Sequence, residues 1–257
     1  MEAISNKYSD KKIIIQKNLN WDKIKDLKID ENDEKLVSTS LIPEKIIVRP
    51  YYYIQKIKGS MPECYVRSKV LDKLIEAANK LPKGYKLVIF DAWRPIKVQE
   101  ELYKMIIEKL KKIYPTKDIE DIKKEASNYV AIPSEDEKHP SPHTTGGSVD
   151  LSIADKNGKL LNMGTTFDTA NEKSHTDYFD NKFSGKNKNN ENKKEIVLNR
   201  RLLYNIMISV GFTNYPKEWW HYDYGNQNWA YFNNKDVTAF YGKTSPDFIW
   251  SNGFPLE

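Results

Sequence analysis

The chain has 257 residues, 39% of them hydrophobic and 30% charged, which fits one large globular domain, or one domain with a decoration, and a well-solvated surface. The net charge of +5, from 41 basic against 36 acidic residues, is spread out and does not argue for nucleic acid; the lysine/asparagine tract at 186–194 reads as a solvated loop. A single cysteine, Cys64, excludes an intrachain disulfide and the Cys-rich zinc fingers, and no run of about 18 apolar residues exists to span a membrane. Low cysteine use suits a cytoplasmic protein. Met1 to Gln16 lacks the apolar run of a secretory leader, although a chain that starts after a removed leader would read the same way. Oligomeric state leaves no mark in the sequence.

Residues 1–45 are polar and lysine-rich and read as an N-terminal extension, leaving 46–257 as the main domain. Ile46 to Val48 and Tyr51 to Ile54 read as extended chain, rich in β-branched and aromatic residues. Side chains alternate along a strand, so at least one of the consecutive tyrosines Tyr51, Tyr52 and Tyr53 must face solvent or a pocket. Ser68 to Leu81 reads as a helix, capped by Ser68, with Leu71, Leu74, Ile75, Ala78 and Leu81 at helical spacing. Pro82-Lys83-Gly84 ends it, and Tyr85 to Phe90 reads as a buried strand. Pro95 suits the first turn of a helix reaching about Tyr114, and a short helix follows near 118–127.

Residues 131–147 form a loop around His139 and His143. Val149 to Ala154 is a strand in which Asp150 and Ser152 face away from Val149, Leu151 and Ile153. Asp155 to Gly158 is a turn, after which Leu160 to Thr166 returns. Asn199 to Val210 reads as a helix with Asn199 as cap and Gly211 as terminator, and Glu218 to Tyr224 as a last core strand.

Catalytic zinc takes three protein ligands and keeps a position open for water. Of the four histidines, two lie beside carboxylates in structured surroundings. His143 is on the loop entering the strand of Asp150, with Gly146 and Gly147 between them to permit a tight turn. Alone, this spacing is a weak signal that any loop histidine and strand-end aspartate would produce. Glu218 and His221 strengthen it. Three residues apart, they would face opposite sides of a regular strand, so Glu218 is expected at an irregular strand entry and His221 on the surface that carries Asp150. Trp219 and Trp220 would then divide between core and pocket wall.

The Ser141-x-His143-x-x-Gly146-x-x-x-Asp150 pattern and Glu218-x-Trp220-His221 together resemble zinc D-alanyl-D-alanine dipeptidases of the VanX type, within the wider D,D-peptidase group. Asp91-Ala92-Trp93-Arg94-Pro95 and Met163-Gly164-Thr165-Thr166-Phe167-Asp168 resemble two further elements of that family, in the same order, so the resemblance covers roughly residues 46–225. It implies an α+β fold: a small, mainly antiparallel sheet with helices packed on one face and the zinc site on the other. It implies one zinc ion held by His143, Asp150 and His221, with Glu218 moving the proton of the attacking water. It also implies Arg94 as the oxyanion stabiliser, a role typically worth about 2.7–4 kcal/mol of barrier. Asp168 would receive the substrate ammonium and Ser141 would line the pocket. The family usually has alanine two residues before the aspartate ligand, where this chain has Ser148. The implied activity is hydrolysis of D-alanyl-D-alanine. A D,D-carboxypeptidase or endopeptidase acting on longer wall peptides is the rival within the same chemistry, and a non-catalytic wall-binding module is the rival outside it. A binding module would need neither Glu218 nor Arg94. His175, His139 and Cys64 are expected to be structural or inert.

Overall fold

A computed structural model describes residues 6–15, 20–127, 130, 132–182, 190–233 and 237–246. The chain before residue 46 lies against the rest of the molecule. Asn205 donates to the carbonyls of Tyr8 and Lys11, Tyr204 Oη to that of Ile14, and the Ile13 N–H donates to Asp180. A one-turn helix, α1 (Trp21–Lys25), leads to strand β1 (Leu36–Ser38). Strand β2 (Ile46–Val48) is followed by α2 (Tyr51–Ile54), so the tyrosine run is helical where extended chain was expected. Tertiary packing overrides the β preference there: Tyr51 and Tyr52 both pack on Phe167, and Tyr53 is left exposed.

Strand β3 (Tyr65–Arg67) pairs antiparallel with β1 and runs into α3 (Ser68–Asn79). Ser68 is not the cap. Arg67 holds that position, and Glu34 accepts hydrogen bonds from Ser68 Oγ and the Lys69 N–H, so a carboxylate distant in sequence satisfies the start of the helix. Strand β4 (Lys86–Asp91), α4 (Ile96–Ile113) and α5 (Ile119–Ala126) follow as expected. After a 3₁₀ turn at 142–145 comes β5 (Ser148–Ala154), every residue of which is buried. The return at 160–166 makes only brief pairing, through Leu160 and Leu161, and continues as loop.

Helix α6 (Tyr178–Lys182) precedes α7 (Glu191–Ser209). Helix α7 starts well before Asn199. Asn190 caps it by accepting from the Lys193 N–H, and its first turn is polar, so apolar periodicity appears only from Ile196. Asn199 instead donates from mid-helix to the Asn162 carbonyl. Residues 191–194 of the lysine/asparagine tract are therefore helical, and 186–189 lie outside the described residues. Strands β6 (Thr213–Asn214) and β7 (His221–Asp223) and helix α8 (Gln227–Asn233) complete the order.

The main sheet runs β2-β4-β5-β7-β6, antiparallel throughout except for the parallel β2–β4 pair. Register fixes its two faces. Leu87 opposes Ile153 and Ile89 opposes Leu151 on the apolar face, which α3 and α7 cover. Burying each of these side chains stabilises the fold by about 1.5–3 kcal/mol. The other face presents Asp150 and, directly opposite, His221. Helix α4 stands beside that second face, where Gln99 and Leu102 help to wall the cleft.

Candidate metal centre and catalytic cleft

Three structural devices bring the site together. Gly146, with φ +70°, ends the 3₁₀ turn that carries His143 in a left-handed conformation open to glycine. Gly147 passes so close to the Tyr224 carbonyl that a Cβ there would lie 2.4 Å from it. A bulge between Ile89 and Asp91 puts Asp91 opposite Asp150, on the site face. Below the turn, buried Arg67 donates to the carbonyls of Thr145, Glu34 and Gly242 and to the Glu31 carboxylate. One guanidinium thus ties the histidine loop to both the N-terminal and the C-terminal segments.

His143, Asp150 and His221 converge and are all buried. His143 Nδ1 is 2.7 Å from the Ala92 carbonyl, which can only accept, so the proton sits on Nδ1 and the Nε2 lone pair faces the cluster. His221 Nε2 lies 3.1 Å from Asp223 Oδ2 and its Nδ1 3.0 Å from Asp150 Oδ1; burial alone would lower its pKa, but the two carboxylates flanking the ring raise it well above the usual histidine range. His143 Nε2 and His221 Nδ1 are 3.2 Å apart, close enough to share one cation. Asp150 adds a carboxylate 3.0 Å from His221 and 3.5 Å from His143. Ligand atoms of a tetrahedral zinc with bonds of about 2.0–2.2 Å lie about 3.3–3.6 Å from one another, so the donor set fits this ion.

Asp223 is the orienting carboxylate of the site. It accepts from Ser148 Oγ at 2.6 Å and Asn226 at 2.7 Å on one oxygen, and from Asn228 on the oxygen that holds His221. Burial alone would raise its pKa; His221, Asn226 and Ser148 outweigh burial and hold it below the usual carboxylate range. Its position two residues after His221 on a strand, hence on the same face, was the available sequence signal. Ser148, where alanine is usual, is the serine that binds this carboxylate.

Glu218 precedes β7 in a turn, its N–H bonded to the Tyr215 carbonyl, and its Oε2 is 3.9 Å from His221. Desolvation pushes its carboxyl up to about 7 against the pull of His221, with Asp150 and Asp168 adding to the rise. Arg94 pairs with Asp91 at 2.7 Å, donates to Gln99 at 2.6 Å and lies 3.8 Å from Asp150, its plane over the Tyr52 ring. Burial would lower its pKa; Asp91 more than offsets this and keeps it charged. The pairing with Asp91 thus holds Arg94 beside Asp150.

Asp168 lies at the mouth of the cleft, open to solvent on one side and packed by protein on the others. The protein around it pushes its carboxyl up to about 6, with Arg94 opposing and Asp150 and Asp91 adding. Its φ of +62° is uncommon for a non-glycine residue. Arg200, missed in the sequence, holds the surrounding loop by donating to the carbonyls of Met163, Lys173 and His175. Ser141 lines the cleft beside His143, and Trp220 forms a wall while Trp219 is buried and donates to Thr165. His175 and His139 lie outside the ligand cluster, and Cys64 is buried with its thiol pushed well up by desolvation.

A family model described as D-ala-D-ala dipeptidase, of the M15 peptidases, matches residues 47–243. The chain is 27% identical over 215 residues to a D-alanyl-D-alanine dipeptidase of Synechocystis, covering 76% of this chain and 86% of that protein. It is 31% identical over 145 residues to one of Enterococcus faecalis (54% of this chain, 62% of that protein), and 29% identical over 140 residues to one of Escherichia coli (54% and 55%). No helix among the described residues is long and apolar enough to cross a membrane. Family match and site geometry converge on one conclusion: this chain belongs to the M15 peptidases, in the D-Ala-D-Ala dipeptidase family.

Proposed function

We propose that the protein hydrolyses free D-alanyl-D-alanine and that His143, Asp150 and His221 hold its zinc. The observation that carries the reading is the convergence of one ligand atom each from His143, Asp150 and His221, all within 4.8 Å of one another, with Glu218 3.9 Å from His221. Zinc, when bound, supplies a Lewis acid that acidifies water and polarises the scissile carbonyl. Glu218 removes a proton from the water as its oxygen bonds to the carbonyl carbon, then delivers that proton to the amide nitrogen as the C–N bond breaks, releasing two molecules of D-alanine. Its raised pKa suits both halves of that transfer near neutral pH. Arg94, fixed by Asp91 and Gln99, donates to the carbonyl oxygen as negative charge develops there.

Asp168 holds the free α-ammonium. An acylated amine carries no charge to offer it, and this favours the dipeptide over a D,D-carboxypeptidase substrate. The cleft of about 240 Å³ is also of dipeptide size. The N-terminal 45 residues act as an accessory segment to the peptidase domain.

The test is hydrolysis of D-Ala-D-Ala beside N-acetyl-D-Ala-D-Ala, with a chelator control and Glu218→Gln. Cleavage of the free dipeptide alone, abolished by chelation and by Glu218→Gln with zinc retained, is expected. Cleavage of the acylated substrate moves the enzyme to the carboxypeptidase class. Undiminished turnover by Glu218→Gln rejects the proton-transfer role.

A further inference from the structure

The family match begins at residue 47, yet a side chain from upstream of it reaches the cleft. Trp21 opens α1, whose start is capped by Asn20 and whose Ile24 is buried. Gln227 anchors the chain just beyond, donating to Leu27 O at 2.7 Å and to Lys138 O at 3.0 Å, and so joins this segment to the loop that precedes Ser141. Despite that firm attachment the Trp21 side chain stays 46% exposed, so core filling does not account for it. Its ring lies 6.2 Å from that of Tyr215, which in turn lies 5.8 Å from that of His221.

Two cavities meet at this indole. One is the catalytic cleft of about 240 Å³. The other, of about 460 Å³, lies on the far side of Ser141 and is walled by Ile24, Ile132, Pro133, His139 and Pro140. Trp21, Ser127, Ser141, Pro142 and Asn228 border both. Among these bordering side chains the indole is by far the largest, and it alone comes from outside the matched family region.

We propose that Trp21 is a specificity-determining residue: its indole separates the catalytic cleft from the adjoining cavity and so restricts the substrate to dipeptides with small side chains. The inference rests on the dipeptidase reading and deepens it. Removing the indole joins a cleft sized for two methyl side chains to a space that can take an aromatic one, and hydrophobic pockets discriminate by roughly 10–200-fold for one methylene of misfit.

The experiment measures kcat/KM of the zinc-loaded wild type, Trp21→Ala and Trp21→Phe on D-Ala-D-Ala, D-Ala-D-Phe and D-Phe-D-Ala. The readout is the ratio of each bulky substrate to D-Ala-D-Ala, which a general loss of folded enzyme does not move. Trp21→Ala should raise that ratio at least tenfold for one of the two bulky dipeptides. Trp21→Phe, which keeps an aromatic partition, should raise it less. A smaller rise for both substrates in Trp21→Ala, or an equal rise in Trp21→Phe, overturns the inference while leaving the dipeptidase reading intact. A wild type that fails to cleave D-Ala-D-Ala defeats that reading, and this inference with it.

Discussion

Replacing Asp223 by asparagine tests whether the zinc site depends on the carboxylate behind His221. The substitution keeps volume and removes charge. Asp223 Oδ2 is 3.1 Å from His221 Nε2, and its other oxygen receives Ser148 at 2.6 Å and Asn226 at 2.7 Å. Those donors leave a side-chain amide with one nitrogen facing N–H or O–H groups, so it cannot reproduce the network. Removing such an outer partner of a ligating histidine typically lowers metal affinity about 10–100-fold. That equals about 1.4–2.8 kcal/mol at about 1.4 kcal/mol per decade. Ser148→Ala deletes one donor to the same carboxylate and leaves Asn226 and Asn228 in place. A hydrogen bond to a charged group contributes about 1.5–3 kcal/mol, and only part of this reaches the metal through Asp223, so the loss should be smaller than for Asp223→Asn. Zinc affinity is read by competition with a chromophoric chelator, and ligand geometry by the visible spectrum of the cobalt-substituted protein. Wild-type zinc affinity in Asp223→Asn, within twofold, would refute the orienting role even if activity fell.

Three further outcomes follow from the geometry. Asp168 must be ionised to hold an ammonium, so KM for D-Ala-D-Ala should fall as pH rises through about 6, and Asp168→Asn should give a high KM without that step. The folded pKa of Asp168 lies above its unfolded value, so its ionisation drains stability as pH rises between the two; Asp168→Asn should raise Tm at pH 7 but not at pH 3, as thermal melts would show. Arg67→Met leaves the carbonyls of Thr145, Glu34 and Gly242 without this donor, while Glu31 keeps the Gly242 and Asp33 N–H groups; at about 1–3 kcal/mol for a buried polar group left unpaired, denaturant unfolding should show a loss of more than about 1 kcal/mol, and a smaller loss would refute the hub. Gly147→Ala places a Cβ 2.4 Å from the Tyr224 carbonyl, a backbone atom that cannot swing aside, so lowered Tm and weakened zinc binding are expected together.

Much of the site was legible because its chemistry is written in short segments. His143 with Asp150, and Glu218 with His221, sit at spacings whose geometry strand alternation and a glycine turn constrain, and the structure brings all four together. The helices at 68–79 and 96–113 were legible from apolar periodicity. The tyrosine run was not, because β-branched and aromatic character reports burial as much as strand, and packing on Phe167 chose a helical turn. The early start of α7 was hidden because a solvated first turn carries no periodic signal.

Acting alone, the sequence determined the reaction chemistry: which imidazoles and carboxylates exist, and which local turns can present them. Only the tertiary structure decided what surrounds them. Glu34 satisfies a helix start from 34 residues upstream, counted from Ser68. Arg67 binds segments from both ends of the chain, Ser148 meets Asp223 across 75 residues, and Trp21 stands at the wall of a cleft built elsewhere. Such contacts arise from the way the sheet and its coverings close in space. No local propensity encodes them, because a hydrogen bond or a cavity wall depends on where two distant segments meet and not on what either segment prefers to be.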